Sequence, residues 1–80
     1  MNYTYDPAAL HFFVICENPR DYPGLFTVRH HEVFSGMQKP RELLGTALTL
    51  DAARALVPKN ATNIGRVEGD QAVIVESWLL

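Results

Sequence analysis

The feature that most constrains this chain is that only one short segment has the apolar spacing of a helix. Thr49 is a favourable N-cap, Asp51 lies in the first turn where the helix dipole favours an acid, and Pro58 ends the segment. Between these residues, Leu50–Val57 carries one apolar stripe at helical spacing. One helix of this length cannot cover both faces of a sheet, so a second face has to meet solvent, another part of the chain or another subunit.

The segments around the helix are predicted to be strands. Leu10–Glu17 and Leu25–Phe34 are rich in aromatic and β-branched residues, and the Pro-containing loop 18–24 between them predicts a hairpin. Leu10–Glu17 is apolar on both faces, which is typical of an interior strand. Glu32 and Val33 interrupt the alternation of the second strand, so a bulge or an early strand end is expected there. A polar loop is predicted at Ser35–Glu42, and further strands at about Leu44–Leu48, Thr62–Val67 and Gln71–Leu80.

The element order predicts an α+β fold. It reads β-β-β-α-β-β, a mainly antiparallel sheet of about five strands with one helix packed on one face. The 80 residues allow one domain, 1–80, in which 1–9 form an N-terminal lead-in whose Tyr3 and Tyr5 could cover the second sheet face. One cysteine cannot form an internal disulfide, and small folds without such links often depend on a partner chain.

Charge and hydropathy exclude several classes of function. Seven Lys and Arg against nine Asp and Glu give a net charge of −2 with no basic patch, so no nucleic-acid partner is expected. The apolar runs are far shorter than the roughly 20 residues that a membrane-spanning helix needs. The first residues lack the basic and apolar regions of a signal peptide, and with a lone cysteine this predicts a cytoplasmic protein.

The adjacent histidines His30 and His31 raise the question of a metal site. Neighbouring residues of a regular strand point to opposite faces, so the two side chains cannot hold one ion together. One of them would need ligands from His11, Cys16 or Glu76, and no metal-ligand spacing connects these residues. The sequence therefore predicts no metal and no cofactor.

Thiol chemistry is the one catalytic alternative. His30 could lie across the hairpin from Cys16 on the same side of the sheet and lower the pKa of the thiol. A buried free cysteine acting as a small apolar residue is much commoner. No catalytic residue is assigned. The sequence favours a protein without enzymatic activity but does not exclude an enzyme.

A polar group on the sheet is a second candidate site. Arg29 and His31 share one face of the second strand, while Glu76 and Trp78 share one face of the last strand. If these strands are neighbours and the faces coincide, the four residues form a polar patch beside an indole that could bind an anionic ligand or a partner side chain. The alternative is an ordinary cross-strand ion pair.

The leading functional hypothesis is a non-enzymatic protein-interaction module that forms a homodimer. Its basis is the apolar surface of the first and last strands, which one helix cannot cover. A small-ligand or metal-binding domain that uses the polar patch is the alternative. The candidate interface residues are Phe12, Phe34, Trp78, Leu79 and Leu80.

Two stretches in the second half carry a resemblance. Gly45–Pro58 combines a strand with a Thr-capped helix that ends in proline, and Ile74–Leu79 is a strand that carries Glu and Trp. In these features the chain resembles small single-domain bacterial proteins without an assigned function. The resemblance implies a small α+β domain, and it implies no activity and no site residue.

Overall fold

The computed structural model describes residues 7–66 and 69–80. Its elements are β1 (Leu10–Glu17), β2 (Phe26–Phe34), β3 (Met37–Ala47), α1 (Leu50–Arg54), β4 (Thr62–Gly65) and β5 (Ile74–Leu79). The five strands form one antiparallel sheet in the order β3-β2-β1-β5-β4. The predicted α+β fold is confirmed, and β1 is the central strand. Two predictions fall partly outside the described residues: the lead-in with Tyr3 and Tyr5, and the end of the strand predicted to reach Val67.

The third strand differs most from its prediction. The segment Ser35–Glu42, predicted to be a loop, contains only a two-residue turn, and the strand that follows is 11 residues long. Ser35 and Gly36 have φ angles of 52° and 76°, the left-handed pair that a tight hairpin turn requires. Pro40 is tolerated because β3 is an edge strand, where one side of the backbone needs no ladder partner. The irregularity expected at Glu32 and Val33 is absent, since β2 runs to Phe34 and both residues pair regularly with β1 and β3. The pairing of β2 with β3 shifts twice between Val28 and His31 instead, with the extra residues in β3.

The helix begins where the sequence predicted and ends early. The Thr49 side chain accepts a hydrogen bond from the Ala52 amide at 3.1 Å, so it is the N-cap. The regular helix stops at Arg54, and the next amides bond three residues back, Leu56 to Ala53 and Val57 to Arg54. Pro58 disfavours the α conformation of the residue before it, which explains the tighter final turn.

The core lies between α1 and one face of the sheet, here called the helix-side face. Phe13 and Ile15 of β1 and Val28 of β2 are fully buried against Ala53 and Val57. The opposite face, here called the open face, carries the alternate residues of β1, including Phe12, Val14 and Cys16. Within the two described ranges, no helix has the length and apolar character needed to cross a membrane.

Candidate functional site

The open face contains a groove with a volume of about 590 Å³. Phe12 and Val14 of β1 and Ile74 of β5 form its apolar floor. Ile64 and Val73 stand on its rim and are 40% and 37% exposed. The loop before β5 lines one side, so the groove lies between the sheet and this loop.

Polar side chains border the groove on the β2 side. The His31 Nδ1 and Gln38 Nε2 atoms are 3.0 Å apart, and Arg29 donates to the carbonyl oxygen of Arg41 at 3.3 Å. Burial, followed by the charges of Arg29 and His30, lowers the pKa of His31. His31 is therefore largely uncharged at neutral pH, and Arg29 supplies the positive charge on this side.

The predicted polar patch is not assembled. Arg29 and His31 lie on the open face, whereas Glu76 and Trp78 lie on the helix-side face. In the pairing of β5 with β1, Glu76 is opposite Ile15 and Trp78 is opposite Phe13. Strand β1 also separates β2 from β5. Both conditions for the patch thus fail: β2 and β5 are not neighbours, and their polar residues lie on opposite faces of the sheet.

The predicted interface residues are also divided between the two faces. Phe12 and Leu79 are paired on the open face. Trp78 and Leu80 pack against the core on the helix side. Phe34 is 52% exposed at the end of the β2–β3 hairpin. Only the first pair belongs to the surface around the groove.

Glu76 has a structural environment that the sequence did not indicate. Arg54 donates two hydrogen bonds to its carboxylate, at 2.7 Å from Nε and 3.1 Å from Nη2. Asn63 Nδ2 and Trp78 Nε1 donate two more, at 3.1 and 3.3 Å. The carboxylate is thus held by α1, β4 and its own strand, and it joins the short helix to the sheet.

The charge state of Glu76 follows from these contacts. The hydrogen bonds from Arg54 lower its pKa most, burial opposes them, and those from Asn63 and Trp78 lower it further. Glu76 is 6% exposed and ionised at neutral pH. A carboxylate that is already satisfied by four donors has little capacity left for a ligand, so we assign Glu76 a structural role.

Cys16 and His30, weighed as a possible thiol–imidazole pair, do not meet. Cys16 is opposite Thr27 and faces the open side, whereas His30 is opposite Phe13 and faces the helix side. In an antiparallel pair, directly opposed residues share a face, and these two side chains therefore lie on opposite faces of the sheet. His30 is completely buried.

The Cys16 thiol is expected to react slowly. Burial raises its pKa, and the opposing effects of Arg29 and of a hydrogen bond with Thr27 are smaller. Reaction with a chromogenic disulfide reagent at pH 7.5 should be about tenfold or more slower in the folded protein than in urea. The absorbance of the released thiolate measures both rates. A folded protein that reacts faster than the unfolded chain would restore the thiol-enzyme hypothesis.

The residues that sequence reasoning missed come from elements that it assigned to other roles. Arg54 lies in the predicted helix Leu50–Val57, Asn63 in the predicted strand Thr62–Val67, and Glu42 in the predicted loop Ser35–Glu42. No local pattern links them to their partners, because each contact spans at least 12 positions. Among residues 7–66 and 69–80, no group of three His, Cys, Asp or Glu side chains is arranged to hold a metal ion.

Comparison with family models, curated proteins and solved structures found no match to this chain. The resemblance to small bacterial domains therefore stays a prediction.

Proposed function

We propose that this protein is a non-enzymatic interaction module that forms a homodimer through its open face. The observation that carries the proposal is the apolar groove on this face. Phe12, Val14 and Ile74 lie in its floor, and Ile64 and Val73 on its rim keep large apolar side chains in contact with water. Covering such a surface is favourable, at about 25 cal/mol for each Å² removed from water.

Charge placement favours a second copy of the chain as the occupant. Arg29 lies on the β2 side of the open face, and Asp70 lines the groove on the β5 side, with β1 between them. A two-fold axis parallel to β1 would place the Arg29 side of each copy opposite the Asp70 side of the other. A two-fold interface needs this self-complementarity, and opposite charges favour it.

The open face is also close to the size that a stable dimer interface requires. Strands of about eight residues, five across, give a face of roughly 600 Å² in projection. Stable interfaces bury about 800 Å² of accessible surface on each partner. The side chains of the open face, together with the loop before β5, add to the projected area.

The oligomeric state tests this proposal. Light scattering during size-exclusion chromatography at micromolar concentration should give twice the chain mass of 9.0 kDa. Val73→Glu places a charge on the groove rim and should give the mass of one chain. Leu48→Glu, at a site 80% exposed and outside the groove, is the matched control and should leave the dimer intact. A wild-type mass of one chain would contradict the proposal.

A small apolar ligand is the second candidate occupant. The groove volume of about 590 Å³ lies within the range of about 300–1,000 Å³ that is usual for ligand sites. A monomeric protein that binds the fluorescent probe anilinonaphthalene sulfonate at one site, and loses it in Val73→Glu, would favour this function over the dimer.

A cytoplasmic location is part of the same proposal. Cys16 is a free thiol, and the sequence has no second cysteine with which to form an internal disulfide. A free thiol persists most readily in a reducing compartment.

A further inference from the structure

Two histidines meet in the interior of the sheet. The Nδ1 atom of His11 lies 2.9 Å from the Nε2 atom of His30, and the ring centroids are 5.1 Å apart. His11 is 4% exposed and His30 is 0% exposed. Both side chains lie on the helix-side face, on the neighbouring strands β1 and β2.

Proton counting limits the charge that this contact can carry. A hydrogen bond between two ring nitrogens needs one N–H group and one lone pair. A neutral pair satisfies this requirement, and so does a pair with a single positive charge. A second added proton would direct two N–H groups at each other across 2.9 Å, and the rings would have to separate.

Two glutamates flank the pair. Glu42 of β3 places Oε1 3.1 Å from His30 Nδ1, and Glu32 of β2 places Oε2 3.9 Å from His11 Nδ1. Partial burial opposes the ionised form of Glu42, but hydrogen bonds from its backbone and from His30 outweigh it and lower the pKa of Glu42. Its carboxylate therefore accepts the Nδ1 proton of His30 at neutral pH, which leaves His30 Nε2 for the contact with His11.

Charged and aromatic groups of the neighbouring elements surround the pair, and two of them are cations of β3: Lys39 is opposite Glu32, and Arg41 helps to lower the pKa of Glu42. Phe13 stacks on His30 at a centroid distance of 5.0 Å, and Trp78 of β5 is opposite Phe13. Arg54 of α1 and Glu76 of β5 form an ion pair with each other. His31 follows His30 in the chain but points to the open face, and its pKa is lowered.

We propose that His11 and His30 form an acid-sensitive switch in the sheet, in which the buried pair holds at most one added proton and a second one separates β1 from β2. The segment that would be released is the part of the β2–β3 hairpin between His30 and Glu42. It includes Glu32 and Glu42, the two glutamates that lie beside the histidine pair. Its end already exposes Phe34 and Met37, at 52% and 75%. Acid would thus loosen a hairpin whose end carries two exposed apolar side chains, Phe34 and Met37.

The sign of the pH effect follows from the proton count. A histidine in an unfolded chain has a pKa of about 6.5, so both take up a proton when the chain unfolds at pH 5. The folded pair takes up at most one. At this pair, unfolding therefore binds at least about one additional proton, and the unfolding equilibrium constant should rise at least about tenfold for each pH unit below 6.

Proton–nitrogen correlation spectra of the imidazole rings test the switch directly in the wild-type protein. Between pH 8 and pH 5, His11 and His30 together should take up no more than one proton before the folded signals disappear. If both rings become fully protonated while the folded amide signals persist, the proposal is overturned.

Two variants provide an independent test. In His11→Asn, an amide oxygen can accept from His30 at the position of the lost Nδ1, so the folded state can hold a proton on His30. The unfolding constant should then rise less than about threefold per pH unit. The His11→Asn measurement is made in the His31→Gln background, because His31, whose pKa is lowered, would take up a proton of its own on unfolding. The His31→Gln protein, which keeps the pair, should show the tenfold dependence. Equal pH dependence with and without His11→Asn in this background would contradict the proposal.

Discussion

Phe13→Ala is expected to leave most of the protein unfolded at room temperature. Phe13 is 0% exposed and lies at the centre of the core, between the helix segment and the Ile15 and Val28 side chains. Truncating a buried phenylalanine costs about 3–5 kcal/mol. A core of this size contributes about 3–5 kcal/mol of net stability without disulfides or metals, so the loss is comparable to the total.

Far-ultraviolet circular dichroism and urea titration measure this effect. Phe34→Ala is the matched control, because Phe34 is 52% exposed, and its free energy of unfolding should change by about 0.5 kcal/mol or less. Phe13→Leu retains most of the volume and should give a folded protein with a smaller loss. All variants need the same protein concentration, since dimerisation would add to stability. A cooperative Phe13→Ala transition at the wild-type midpoint would contradict the assigned core.

Glu76→Gln is expected to lower the free energy of unfolding by about 2 kcal/mol. The substitution keeps the shape of the side chain, but it removes the charge that accepts the two hydrogen bonds from Arg54. For a domain of this length, the loss corresponds to a fall of about 10 °C in the melting temperature. Asp51→Asn is the control, because the Asp51 side chain is 95% exposed and lies 3.6 Å from the same guanidinium. That change should cost about 0.5 kcal/mol or less.

The pH dependence gives a second measurement for Glu76. Its folded-state pKa is lowered, mainly by the hydrogen bonds from Arg54 against the opposing effect of burial. Its contribution is fully present above the unfolded-state pKa of about 4.3 and is lost as the pH falls below that value. The wild type should lose this stability below about pH 4, and Glu76→Gln should lack that loss. An identical acid transition in both proteins would exclude Glu76 as a stabilising anion.

The candidate site shows where sequence reasoning stops. The alternation of β1 correctly separated Phe12 and Val14 from Phe13 and Ile15, because the pleat has a period of two. The same rule correctly placed Arg29 with His31, and Glu76 with Trp78. It could not say that the two pairs belong to opposite faces, since that depends on how β2 and β5 each pair with β1.

The third strand illustrates a different limit. The polar residues, Gly36 and Pro40 favoured a loop over Ser35–Glu42, and these preferences are real for an isolated segment. An edge strand accepts them because one side of its backbone faces solvent and its polar side chains need no burial. Pairing with the long β2 strand supplies the hydrogen bonds that local preference alone would not secure.

Local chemistry in the sequence determined the helix N-cap at Thr49, the number of strands and the apolar or polar character of each strand face. These properties depend on neighbouring residues and on the periods of helix and strand. The tertiary structure decided the strand order, the opposite placement of Cys16 and His30, the anchoring of Glu76 by Arg54 and the contact of His11 with His30. Each of these depends on the free energy of long-range pairing, which joins residues 12 or more positions apart and leaves no mark on the sequence around them.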